Sequence, residues 1–189
     1  VAAHEPFLSH DLTALRKLAL KRLSHPKETE LVDECIDAFV KVRSHVDNHL
    51  YDDVIPCFQF LRNMGIRLGV LTNGNANLRD GNIDTKIQKY LDPSLILNSS
   101  DVGVLKPSPV GFMAIAHRGN ICPSRVLFVG DSVEKDALAS INAGMHAVYL
   151  DRNGDAREDG DSNYIYMNSL HPVEFEEKVQ SFIQSRRDK

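Results

Sequence analysis

The fold that the sequence predicts is a doubly wound, mainly parallel, Rossmann-like α/β sheet with a partial helical cap, and three observations predict it. Short apolar runs without polar alternation (RLGVL at 67–71, LIL at 95–97, VLFV at 126–129, AVYL at 147–150) suit strands buried on both faces. Stretches with apolar residues at helical spacing separate them, the alternation of a parallel α/β sheet. Polar or glycine-containing turns follow several of the runs, where open α/β sheets bind their ligands.

Residues 1–50 read as helical and form the partial cap, leaving 51–189 as the core. Asp11 can cap a helix with Leu12, Leu15, Leu18 and Leu23 on one side and Arg16, Lys17, Lys21 and Arg22 on the other. Pro26 ends it, and a second helix from Glu28 to about His49 puts Leu31, Cys35, Ala38, Phe39 and Val42 on one face. Tyr51–Pro56 is a linker into a helix over Cys57–Asn63, closed by Met64-Gly65, and Arg67–Leu71 is a strand. A helix ends near Leu91, a short strand covers Leu95–Leu97, and a helix runs from about Val110 to Arg118. The segment 125–145 then reads strand, tight turn, helix, with Leu138, Ile141 and Met145 at helical spacing and Gly144 as the stop. Strands at Ala147–Leu150 and Tyr164–Met167 and a helix over Pro172–Ser185 complete the chain.

Composition narrows the functional classes. The 189 residues are 42% hydrophobic, enough for one domain with a core and a small appendage. A formal charge of −4 gives no electrostatic reason to expect nucleic acid or an anionic membrane as partner. No apolar run approaches the length of a membrane helix. The polar, proline-broken start VAAHEPFLSH lacks the signal-peptide pattern, and three widely spaced cysteines (Cys35, Cys57, Cys122) suggest buried thiols in a reducing, intracellular and cytoplasmic setting. The acidic loop 151–161 fails as an EF-hand, because Ala156 stands where glycine is needed and Ser162 where glutamate is. Walker A and G-x-G-x-x-G sequences are absent.

The polar residues at three strand ends come in a fixed order: Thr72-Asn73-Gly74, then Lys106-Pro107, then Asp131 with Asp136. Two neighbouring carboxylates repel unless protonated or neutralised by a cation, and hard oxygen ligands in a small site suggest Mg²⁺. A hydroxyl and exposed amides can hold phosphoryl oxygens while an ammonium offsets their charge, as a phosphate monoester site requires. Each element alone has a plainer reading: Asp131 and Ser132 cap helices well, Thr-Asn-Gly makes a turn, and Lys-Pro leads into a helix. A response-regulator receiver also sets acids, a Thr and a Lys-Pro at strand ends, but there the acids come first.

LTNGN at 71–75, LKPSP at 105–109 and GDSVEKD at 130–136 resemble the second, third and fourth motifs of the haloacid dehalogenase-like hydrolases. Tyr51–Pro56 is similar to that family's return from a helical cap into the core. The resemblance implies a phosphatase-type enzyme in which Asp131 and Asp136 hold Mg²⁺, and Lys106 stabilises the nucleophile and phosphoryl charge. It also implies that Thr72, with Asn73 and Gly74, binds the phosphoryl group of a small phosphorylated substrate. The family's nucleophile is the first Asp of a D-x-D-x-[TV] strand, and the sole Asp-x-Asp here, Asp159-Gly160-Asp161, follows the fourth motif with no apolar strand before it. The chain is therefore expected to begin inside the cap, to lack its first core strand and to be inactive by itself. The alternative is a non-catalytic phosphate-, metal- or partner-binding protein, with a strand-donating partner or an oligomer closing the sheet.

Overall fold

A computed structural model describes residues 33–35, 37–38, 50–73, 85–154 and 163–187. Helix α1 spans Val54–Asn63 and leads into strand β1, Leu68–Thr72. After the short helix α2, Thr85–Gln88, come β2, Leu91–Asn98, and one turn of helix α3, Ser99–Val102. Helix α4, Pro109–Gly119, precedes β3, Leu127–Gly130. A π-helical turn, Val133–Leu138, runs on into α5, Ala139–Asn142. Strands β4, His146–Leu150, and β5, Ile165–Met167, and helix α6, Pro172–Arg187, follow. Most of the predicted cap, residues 74–84 and residues 155–162 lie outside the described residues. No helix among the described residues is long and apolar enough to cross a membrane.

Every strand pairing among these residues is parallel, as the unalternated apolar runs require. The strands fall into two pieces, β1–β2 and β3–β4–β5, so β1 and β3 each pair on one side only within the described residues. Two helices span both pieces. On one face α4 sets Gly111 against Leu71 of β1 and stacks Phe112 edge-on against Phe128 of β3, ring centroids 4.8 Å apart. On the other face α1 packs Phe58 with Leu68, Val70, Leu91 and Ile96, and packs Val54, Cys57 and Leu61 with Leu127, Val148 and Met167. Helices on both faces make the sheet doubly wound.

Several boundaries differ from expectation for identifiable reasons. Helix α1 starts at Val54, with Pro56 inside its first turn, where a missing N–H costs no intrahelical bond. Strand β2 starts at Leu91, where the sequence predicts the end of a helix, because both Leu91 and Leu95 are buried. The register against β1 shifts between Leu68 and Val70, and Gly69 permits it, since a Cβ there would lie 2.7 Å from Leu95. Only one of the three thiols is in the core. Cys57 is buried and its thiol is pushed up to about 11, by burial and then by the nearby Asp53 charge. Cys35 and Cys122 are exposed, so apolar sequence neighbours were a poor guide. Cys122 sits in the turn before β3, and a hydrogen bond with Ser124 lowers its pKa.

The linker into α1 is clamped to the carboxyl end of the sheet. Arg152, just beyond β4, grips both carboxylate oxygens of Asp53, and its guanidinium lies 4.2 Å from the centroid of the Tyr51 ring. Leu170 N–H donates to the same carboxylate at 2.7 Å. Burial alone would raise the Asp53 pKa, but the Arg152 hydrogen bond, the Leu170 N–H and the Arg152 charge hold it below its ordinary 3.8. A carboxyl depressed in the folded state stabilises above its unfolded pKa and loses that contribution as pH falls through the folded value. Asp53→Asn should therefore cost about 2 kcal/mol near neutrality. Thermal melts across pH should show the gap between variant and parent constant above about pH 5 and shrinking below the ordinary 3.8.

Candidate active site

The polar residues selected from the sequence sit where β1 and β3 end and in the loop between α3 and α4. Asn98, the last residue of β2, caps α3 in a reciprocal box with Asp101. That box fixes Ser99, whose buried hydroxyl donates to the carbonyl of Asn73 at 3.4 Å. Gly103, at φ 82°, ends α3 and turns the chain towards Lys106, whose bond to Pro107 is cis. Ser108 caps α4 through Val110 N–H at 3.4 Å.

Lys106 is held at both ends. The Asn73 amide donates from Nδ2 to the Lys106 carbonyl at 2.9 Å and accepts the Lys106 N–H on Oδ1 at 2.7 Å. From that anchored backbone the side chain passes over the Phe128 ring, with Nζ 5.2 Å from its centroid, and meets Asp136 Oδ1 at 2.5 Å. Both side chains are nearly buried, 14% exposed for Lys106 and 5% for Asp136.

The turn after β3 is shaped around Asp136. The Ser132 carbonyl accepts from both Asp136 N and Ala137 N, which winds this stretch as a π turn. Asp136 Oδ2 in return accepts the Ser132 N–H at 3.0 Å. A Cβ on Gly130 would lie 2.3 Å from that of Asp136, so the carboxylate rests directly on the Gly130 backbone. This places it one residue from Asp131, which is exposed immediately beyond β3.

Lys106, Asp136 and Asn73 are thus joined by direct contacts, and Asp131 adjoins them along the chain. Thr72 is half-buried at the end of β1, opposite Asn98 in the register. Gly74 lies outside the described residues. The Asn73 side chain bonds to the Lys106 backbone. The described residues hold no cluster of three His, Cys, Asp or Glu side chains that could ligate a metal. The donor set still fits Mg²⁺, which binds through one or two carboxylates with waters and phosphate oxygens completing its shell. Asp131 is open, and each Asp136 oxygen keeps a lone pair beyond its present donor. The sequence reading missed Ser132 as donor to Asp136, Phe128 as the platform under Lys106, and Ser99 as the brace of Asn73. Only Ser132, inside GDS, carried a local signal.

A parallel, doubly wound sheet with a nearly buried lysine–aspartate pair at its strand ends defines a Rossmann-like α/β core. The sequence matches the family described as "Hydrolase: haloacid dehalogenase-like hydrolase" over residues 8–144, and the chain belongs to that family. Among its relatives, pyrimidine 5'-nucleotidase YjjG of Escherichia coli (strain K12) is 36% identical over 110 residues, covering 57% of this chain and 48% of that protein. Glyceraldehyde 3-phosphate phosphatase of Methanopyrus kandleri is 32% identical over 136 residues, covering 71% of this chain and 57% of that protein. The chain spans about half the length of these curated relatives. The solved 2-haloacid dehalogenase from Pseudomonas syringae pv. Tomato superposes with a TM-score of 0.73 at 25% identity, over 96% of this chain and 76% of that one.

Gly130→Ala should destabilise the fold by about 3 kcal/mol, because the new methyl must displace either β3 or the Asp136 side chain. Urea unfolding reads this directly, and an unchanged midpoint would mean that Asp136 does not rest on Gly130.

Proposed function

We propose that this chain supplies the phosphoryl-binding part of an Mg²⁺-dependent phosphatase acting on small phosphate monoesters, with residues 1–50 belonging to a cap over the site. The observation that carries the reading is the Lys106–Asp136 pair, buried where β1 and β3 end. Lys106 provides positive charge for a phosphoryl group and for an attacking carboxylate. Thr72 donates its hydroxyl to a phosphoryl oxygen, assisted by backbone amides of 73–74. Asp131 and Asp136 are the residues that would hold Mg²⁺, and the bound ion would neutralise phosphoryl charge. An aspartate that this sequence does not contain in a D-x-D-x-[TV] setting would attack phosphorus, giving an aspartyl-phosphate that water hydrolyses. The chain by itself is then expected to bind phosphate without turning over.

Calorimetric titration with inorganic phosphate tests this. Mg²⁺ should tighten phosphate binding by about tenfold or more, and Asp131→Asn should remove that gain. Phosphate binding indifferent to Mg²⁺ would sink the metal-dependent reading. Hydrolysis of p-nitrophenyl phosphate by this chain, abolished by Asp131→Asn, would show that a nucleophile outside the sequence is not needed.

A second reading, binding of a strand from a partner, is favoured by the divided sheet. Strands β1 and β3 each lack a second neighbour among the described residues, while α1 and α4 span both pieces. Val129, in the middle of β3, is 37% exposed although its strand reads as fully buried. Strand exchange between copies predicts a dimer or larger species by light scattering after size exclusion, and a stable monomer leaves that exchange no role.

A further inference from the structure

We infer that the Asn73 side chain is a positioning group for Lys106 rather than a substrate contact. Its two-point clasp is what delivers the ammonium to Asp136. The inference rests on Lys106 being the cation of the proposed phosphoryl site. A lysine side chain has many rotamers, and its reach alone does not select one partner. Here the backbone from which it springs is fixed in both directions, N–H to Asn73 Oδ1 at 2.7 Å and carbonyl to Asn73 Nδ2 at 2.9 Å. Asn73 is itself braced by Ser99 through its main-chain carbonyl, so the clasp is anchored to the end of β2. The amide's donor and acceptor are both taken up by the Lys106 backbone. Asparagine is the side chain that can do this, since it alone at this length offers one acceptor and one donor side by side. An aspartate would keep the acceptor and lose the donor.

Differential acetylation with acetic anhydride, followed by peptide mass mapping, reads the accessibility of each lysine in the full chain. In the parent protein Lys106 should label slowly, sheltered by Asp136 and Phe128, while exposed Lys89 labels fast. Asn73→Ala should raise the Lys106 rate by about tenfold, the scale of one to two ordinary hydrogen bonds, and leave Lys89 unchanged. Asn73→Asp should give an intermediate rise, and it carries the test if the alanine variant does not fold. Arg67→Ala is the control for general loosening, because Arg67 anchors the start of β1 through Asp92 and the Gly119 carbonyl, away from Lys106. Measured equally far below its own melting midpoint, it should leave Lys106 protected.

A Lys106 rate unchanged in the Asn73 variants overturns the inference, above all if phosphate affinity falls at the same time, as a direct contact would require. An equal rise in Arg67→Ala overturns it too, reducing the effect to loss of stability. Failure of the parent chain to bind phosphate would defeat the phosphatase reading alone, since labelling still decides what holds Lys106.

Discussion

A nearly buried ammonium and a buried carboxylate, 2.5 Å apart, join the end of one half of the sheet to the end of the other. Taking either charge out of water is costly, and mutual attraction offsets the cost only when the remaining hydrogen-bonding capacity is also used. Each partner gains one further contact from a different part of the chain. Asp136 receives the Ser132 N–H on its second oxygen, and Lys106 lies over the face of Phe128. Removing one partner would leave an unpaired charge in a nearly closed space, which is far worse than never having had the pair. In the π turn after β3 one Ser132 carbonyl serves the amides of both Asp136 and Ala137, while the Ser132 N–H reaches the Asp136 side chain.

Much of this was legible from the residues themselves. Apolar runs without alternation required parallel strands covered on both faces, and the pairings among the described residues are parallel. The order Thr72, Lys106, Asp131, Asp136 along successive strand ends pointed to one edge of the sheet, because every crossover in a parallel sheet returns the chain to the same side. Gly144 was readable as a stop, being a residue for which a positive φ is cheap.

What was not legible depends on separation along the chain. The Asn73 clasp links residues 33 apart, and nothing local distinguishes an asparagine in a turn from one reaching a distant backbone. Cys122 misled for the related reason that apolar neighbours in sequence do not fix which way a turn residue faces. Strand β2 was shortened in the reading by Asp92-Pro93-Ser94, a sequence that looks like a breaker. In the fold, Arg67 takes the Asp92 carboxylate at 2.9–3.0 Å and Pro93 occupies the irregular stretch where the register shifts. Tertiary contacts turned a local break into the start of a strand.

The divided sheet sharpens the role of the two helices that straddle it. A parallel sheet is normally aligned by ladder hydrogen bonds between neighbouring strands. Between β1 and β3 no ladder is present among the described residues, so the relative placement of Thr72 and Asp131 falls to side-chain packing and polar ties. Helix α4 holds Leu71 and Phe128 through adjacent residues on one face, and α1 holds Phe58 and Cys57 contacts on the other. Apolar packing of this kind fixes the distance between layers well but resists sliding along the strand direction poorly, because it is not directional. Hydrogen bonds resist that sliding. The chain Asn73–Lys106–Asp136–Ser132 crosses the division and has a donor and an acceptor of fixed direction at each link. The two pieces of sheet therefore keep a common edge through the same residues that give that edge its chemistry.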